Sequence, residues 1–304
     1  MDFLHRDIIS INDFSKDEIV YVLESAKAFE HMRKPILKDS VLGVLFFEPS
    51  TRTRLSFESA MAQLGGKTIG FADPLVSSST KGESLLDTVK IVSGYCDAIV
   101  IRHPLEGSAR LAAEASEIPV INGGDGANQH PTQTLLDLYT IKKCQGRISG
   151  LNIAMVGDLK YGRTVHSLAC ALSKFGCRLY FVSPESLKIP KHIIDDLQNS
   201  ETEYSEHKEV GEVIKECDIV YMTRIQKERF PDPAEYERIA HTYAIEKDVF
   251  REAKPTMKIM HPLPRVSEIP KDIDDSEHAY YFEQAANGLV VRKALLALIL
   301  GGVK

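Results

Sequence analysis

Between Phe46 and Arg54 the chain reads Phe-Phe-Glu-Pro-Ser-Thr-Arg-Thr-Arg, a set of side chains suited to holding a phosphate. Ser50, Thr51 and Thr53 supply hydroxyls, and Arg52 and Arg54 supply guanidinium groups. The run Val41 to Phe47 before them is apolar apart from Gly43 and reads as a buried strand. After them Phe57, Met61 and Leu64 fall on one helical face, and Gly65-Gly66 supply a stop. Ser50 to Thr53 therefore sit where a strand ends and a helix begins. The first N–H groups of a helix lack intrahelical acceptors and lie at the positive end of its dipole, so such a turn favours an oxyanion. An N-cap beside two surface arginines would give a similar pattern, and Arg54 fits that plainer role.

Residues of the same chemical kind follow other strands. Arg102, in Arg102-His103-Pro104, ends the apolar run Ala98–Ile101. A buried guanidinium needs an anion or a carboxylate, so a phosphate ligand and a structural salt bridge both stay open. Gly123-Gly124-Asp125-Gly126 lets backbone approach a ligand, and Pro131 suits the first turn of the next helix. That places His130 at a helix N-terminus, where the dipole favours a neutral imidazole able to donate to a carbonyl oxygen. Gln133 follows one turn on. Thr80-Lys81-Gly82 come after Ser77-Ser78-Ser79, a surface loop or a lid that brings a cation onto an anionic substrate.

In the second half, Gly157 to Thr164 resembles a G-x-x-x-x-G-K-[ST] nucleotide loop, but Arg163 stands in the lysine position. A simpler anion site at a helix start is the better reading. Arg224, Gln226, Lys227 and Arg229 follow the run Ile219–Met222, as a solvated loop or a second anion site. In His261-Pro262-Leu263-Pro264-Arg265 two prolines fix the chain where its carbonyls can face a ligand.

Strands must position these groups. Candidates are Val41–Phe47, Thr68–Ala72, Ala98–Arg102, Pro119–Asn122, Asn152–Val156, Leu179–Ser183, Ile219–Met222 and Met257–Met260. Helical patterns lie between them, such as Leu85, Val89 and Val92, or the segment Thr132–Lys143. This alternation predicts an α/β chain with two doubly wound domains, each a mainly parallel sheet flanked by helices. In such sheets ligands bind beyond the carboxyl ends of the strands. A second βα series begins at Asn152, and a last helix near 283–300 could pack on either domain.

At 304 residues the chain has room for two cores. A net charge of −6 and a pI near 6.0 exclude a general nucleic-acid binder, which needs a basic field. No apolar run approaches the roughly 20 residues of a bilayer span, and there is no leader pattern. The five cysteines show no C-x-x-C pair, so reduced thiols and a cytoplasmic setting are expected.

Six segments taken in order resemble the aspartate carbamoyltransferase catalytic chain: Phe46–Arg54, Arg102–Pro104, Asn128–Leu138, Met155–Leu168, Tyr221–Arg229 and His261–Arg265. The resemblance covers nearly the whole sequence. It implies transfer of a carbamoyl group from carbamoyl phosphate to the α-amino group of L-aspartate, a step of pyrimidine biosynthesis, with no cofactor and no metal. It implies that Ser50, Thr51, Arg52 and Thr53 cradle the phosphate while Arg102 spans phosphate and carbonyl oxygen. His130 and Thr53 would polarise that carbonyl, Gln133 would hold the carbamoyl amide, and backbone at Pro262 and Leu263 would meet the carbamoyl nitrogen. Arg163, Arg224 and Gln226 would bind the aspartate carboxylates. Ser77, or Ser78, and Lys81 would come from a neighbouring subunit of a homotrimer, and Glu48 with Arg163 and Arg229 would hold the domains closed. The implied domains are 1–131 plus helix 285–304 for carbamoyl phosphate and 132–284 for aspartate. Helix 132–144 would link them, with the active site in the cleft between. A regulatory chain or a pathway enzyme is a possible further partner.

Ornithine carbamoyltransferase shares the Ser-Thr-Arg-Thr turn and the His-Pro-x-Gln segment. Its acceptor is cationic, and that family carries His-Cys-Leu-Pro where Leu263 here lies in His-Pro-Leu-Pro-Arg. A cationic Arg224–Arg229 loop suits a dicarboxylic acceptor and repels ornithine. A non-catalytic homologue would have lost a phosphate-site or carbonyl-site residue, and none is missing.

Overall fold

The apolar run after Ser40 forms strand β1 (Val41–Phe46), buried along all but its first residue. A computed structural model describes residues 1–302 except 74, 76, 77 and 226–246. Strand β1 pairs in parallel with β2 (Lys67–Phe71) on one side and β3 (Ala98–His103) on the other, and β3 pairs with β4 (Val120–Asp125). The order β2-β1-β3-β4 makes the first sheet. The second takes β5 (Asn152–Val156), β6 (Arg178–Val182), β7 (Tyr204–His207), β8 (Ile219–Met222) and β9 (Lys258–Met260), in the order β7-β6-β5-β8-β9. Every pairing in both sheets is parallel. Strands of this kind are covered on both faces, which is why they read as continuous apolar runs.

The described helices are α1 (Lys16–Ala28), α2 (Thr51–Gln63), α3 (Leu85–Ser93), α4 (Ser108–Ala115), α5 (Pro131–Gln145), α6 (Arg163–Ser173), α7 (Lys191–Asn199) and α8 (Tyr281–Ile299). Capping explains several starts. Ser15 accepts from the Glu18 N–H while Glu18 accepts from the Ser15 N–H, a capping box that stabilises α1 by about 1 kcal/mol. Ser84 caps α3 by accepting from the Asp87 N–H. Ser50 occupies the N-cap of α2 in extended conformation, yet its hydroxyl makes no capping hydrogen bond.

Contacts divide the chain into two units, Met1–Tyr139 with Ala286–Lys304, and Thr140–Ala285. Both divisions fall inside helices, α5 and α8. In the first unit Leu45, Val89, Ile99, Ile101, Ala112 and Val120 pack together. In the second the shared core includes Val156, Tyr180, Val220, Met222, Ile259 and Tyr281. Strand β7 was absent from the sequence expectation. It is an edge strand of Tyr, Ser, Glu and His with no buried residue, so no apolar run marks it. No described helix is long and apolar enough to cross a membrane.

Candidate active site

In an open parallel sheet the crevice for a ligand opens where successive strands depart in opposite directions. The first sheet switches between β1 and β3, and the second between β5 and β8. In the first, Phe46 lies opposite Arg102 in the register, and Phe47 N–H donates to the Arg102 carbonyl at 2.8 Å. The chain after β1 therefore leaves beside Arg102 and turns at Ser50 into α2. Thr51 and Arg52, the first residues of that helix, are exposed, while Thr53 is buried. Arg54 pairs with Glu58 at 3.3 Å, one helical turn on, which suits its structural reading.

Thr53 Oγ1 lies 3.4 Å from His130 Nε2. The carbonyl of His130 accepts from the N–H groups of Gln133 and Thr134 at 2.9 and 3.1 Å, so His130 occupies the start of α5. Gln133 Nε2 donates to Asp137 Oδ1 at 2.9 Å. A carboxylate can only accept, so this contact fixes which way the Gln133 amide faces and leaves Oε1 pointing elsewhere. Arg102 meets the salt-bridge alternative left open by the sequence. It donates to the Gly123 carbonyl at 3.1 Å and pairs with Glu48 at 3.1 Å. The Glu48–Arg102 pair was not foreseen, because the two residues are far apart in sequence and only the β1–β3 register joins them.

Sequence reasoning also passed over Asp125. Its Oδ1 accepts from Asn122 Nδ2 and Gln129 N–H, and its Oδ2 from Gly107 N–H and Asn128 Nδ2, all within 2.9–3.1 Å. One buried carboxylate thus gathers the loop that delivers His130. The signal was an acid among glycines at the end of a strand. Lys81 is exposed at the end of a turn of 3₁₀ helix, Ser78–Lys81. Ser77 lies outside the described residues.

In the second unit Val156 lies opposite Met222. Gly157 follows with φ +112°, and a Cβ there would stand 2.3 Å from the Thr223 carbonyl oxygen. The close approach is locked by Thr223 N–H to Val156 O at 2.8 Å and by Asp158 N–H to Thr223 Oγ1 at 3.1 Å. Asp158 Oδ1 in turn accepts from Tyr161 N–H, shaping the loop that leads to Arg163 at the start of α6. Arg163 and Arg224 are thereby anchored to adjacent strand ends, each half-buried. Gln226 and Arg229 lie outside the described residues.

After β9, Pro262 and Leu263 are half-buried, and Leu263 holds φ +57°. A leucine in that region is strained by about 1–3 kcal/mol and persists only where its surroundings impose it. Here Leu263 N–H donates to His261 Nδ1 at 2.8 Å, so Nε2 carries the ring proton and donates it to Glu268 at 2.7 Å. Burial alone would raise the Glu268 carboxyl, but the hydrogen bonds from His261 and from backbone N–H groups outweigh it and hold it below the usual carboxylate range. A group held low stabilises the fold above its unfolded value and loses that contribution as pH falls through its folded value. Glu268→Gln is therefore expected to cost about 1–3 kcal/mol at neutral pH. The gap to the native protein should be full above about pH 5 and close as pH falls below 4.5. Thermal melts across that range check it, and a gap independent of pH would count against the account.

Two parallel α/β sheets, each with arginine-bearing turns at its switch point, define a two-unit protein built to hold anions. The family model "Aspartate/ornithine carbamoyltransferase, carbamoyl-P binding domain" matches residues 6–143, and "Aspartate/ornithine carbamoyltransferase, Asp/Orn binding domain" matches residues 149–299. The chain belongs to the aspartate/ornithine carbamoyltransferase family, on the side of the aspartate carbamoyltransferase catalytic chains. It is 56% identical to the aspartate carbamoyltransferase catalytic subunit of Methanothrix thermoacetophila, over 97% of this chain and 98% of that one. The catalytic subunit of M. jannaschii aspartate transcarbamoylase superposes with a TM-score of 0.89 at 51% identity, covering 96% of each chain. Aspartate transcarbamoylase from Trypanosoma cruzi, in complex with carbamoyl phosphate and aspartate, gives 0.92 at 34% identity over 98% of this chain and 96% of that one.

Proposed function

We propose that this chain transfers the carbamoyl group of carbamoyl phosphate to the α-amino group of L-aspartate, giving N-carbamoyl-L-aspartate and phosphate. The observation that carries the reading is the meeting of Thr53 and His130 at 3.4 Å beside the hydroxyl-rich start of α2. Ser50, Thr51, Arg52 and the first N–H groups of α2 take the phosphate. Arg102 exchanges its Glu48 partner for the incoming phosphate and carbonyl oxygen. Thr53 and His130 donate to that oxygen as the amine attacks and negative charge develops on it. Fixed donors of this kind are the largest usual source of rate enhancement in acyl transfer.

Gln133 Oε1, turned outward by Asp137, accepts from the carbamoyl NH₂, and the Pro262 and Leu263 carbonyls accept from the same group. Arg163, Arg224 and Gln226 take the two carboxylates of aspartate. Attack forms the C–N bond, collapse of the tetrahedral adduct breaks the C–O bond to phosphate, and the departing phosphate accepts the amine proton. Lys81, with Ser77 or Ser78, serves the site of a neighbouring copy in a homotrimer. Glu48 and Arg229 act in domain closure. The setting is cytoplasmic pyrimidine synthesis.

Specificity for a dicarboxylic acceptor follows from the charge at Arg163 and Arg224. Phosphate release and ureido-product formation should appear with L-aspartate and not with L-ornithine. Turnover with ornithine would overturn the acceptor assignment, and a folded protein silent with both would move a non-catalytic role to the front.

A further inference from the structure

Behind the proposed donor site lies a guanidinium with no role in the chemistry above. Arg292, on α8, is 3% exposed. Its Nη1 donates to Ser56 Oγ on α2 at 2.7 Å, and its Nη2 lies 3.4 Å from Thr132 Oγ1 on α5. Ser56 Oγ donates onward to the Thr53 carbonyl at 2.9 Å. The guanidinium also stacks over the Phe57 ring, 5.1 Å from its centroid. Gly288, one turn earlier on α8, leaves it room, since a Cβ there would stand 2.7 Å from Nη1.

Burial pushes the Arg292 guanidinium down to about 10; Asp137 opposes that shift and Arg102 adds to it. It remains charged at neutral pH. Its Nε is buried with no hydrogen-bond partner. A desolvated cation with a donor left over is a poor stabilising device compared with an apolar side chain of the same volume. Its neighbours suggest a different purpose. They lie in the first two turns of the helices that carry Thr53 on one side and Gln133, with His130 at its start, on the other.

We propose that Arg292 is a positioning residue for the carbamoyl donor. It ties Ser56 on α2 to Thr132 on α5, so setting the distance between the phosphate turn and the groups that meet the carbonyl and amide. This rests on the donor site proposed above. Inorganic phosphate needs the start of α2 and Arg102 but nothing on α5, whereas a ligand carrying both phosphonate and carboxamide must reach α2 and α5 together. Only the second should feel a change in their spacing.

The test is calorimetric binding of inorganic phosphate and of phosphonoacetamide to the native protein, Arg292→Lys and Ser56→Ala, which removes the α2 end of the tie. Arg292→Lys keeps the charge but cannot bridge two hydroxyls with a planar fork. The expected result is a loss of at least tenfold for phosphonoacetamide in both variants, with phosphate affinity within threefold of native. In turnover, kcat should fall while the KM for aspartate holds, since Arg163 and Arg224 belong to the other unit. Equal losses for both ligands, or no loss for either, would overturn the proposal. Ser56→Ala keeps the binding test decisive if Arg292→Lys fails to fold. The ratio of the two affinities needs no turnover, so native protein inactive with aspartate would sink the functional reading without touching this one.

Discussion

Arg52→Ala is expected to lower kcat by about 10²–10³, the usual cost of about 2.7–4 kcal/mol for removing one fixed donor at a developing charge. Arg52 is the second residue of α2, exposed, at the end of the helix where orphan N–H groups and the dipole already favour an anion. Its guanidinium adds a planar pair of donors that can follow the phosphate as the C–O bond breaks and charge accumulates there. That interaction grows between ground state and transition state, so the loss should fall mainly on kcat rather than on donor binding. Because the side chain is exposed, stability should move by no more than about 0.5 kcal/mol. Arg52→Lys should recover only part of the rate, since an ammonium is a point charge without the fork. A steady-state phosphate-release assay with thermal melts in parallel decides the matter. A kcat within threefold of native for Arg52→Ala would remove Arg52 from the site and return it to the surface role its sequence also allowed.

The parts of this protein legible from sequence were those written in local chemistry. Runs such as Val41–Phe46 and Asn152–Val156 are apolar because parallel strands are buried on both faces, and they placed the strand ends closely. The strand-to-helix turn at Ser50–Thr53 was legible because hydroxyls that favour a helix start followed one of these runs. What escaped depends on pairing across long intervals. The Glu48–Arg102 pair follows from the β1–β3 register, the Asp125 hub from loops gathered around β4, and the Arg292 tie from a C-terminal helix returning to α2 and α5. Nothing in the sequence near Arg292 says which helices it will meet. Edge strand β7 escaped for the opposite reason, since its polar residues have no buried face to advertise.

Gly157→Ala should damage the acceptor half of the site and leave the phosphate half alone. An alanine at φ +112° occupies a region that L-residues avoid, which costs about 1–3 kcal/mol. Its Cβ would also stand 2.3 Å from a backbone oxygen of Thr223 and 2.9 Å from its Oγ1, so β5 and β8 would have to separate at their carboxyl ends. Overpacking of this kind adds about 1–3 kcal/mol. A combined cost on the order of 4 kcal/mol is a large share of a domain's typical 5–15 kcal/mol. The strain falls at the point from which Arg163 and Arg224 depart, and in the proposed acceptor site their spacing is what matches the two carboxylates of aspartate. Aspartate should therefore bind at least tenfold more weakly even in protein that remains folded. Ser50–Thr53 and Arg102 belong to the other unit, so inorganic phosphate should still bind within threefold of native. Urea unfolding together with phosphate titration separates the two effects. Equal loss of phosphate and aspartate binding would show that the variant fails by global unfolding, and native affinity for aspartate would show that the Gly157–Thr223 approach does not set the acceptor site.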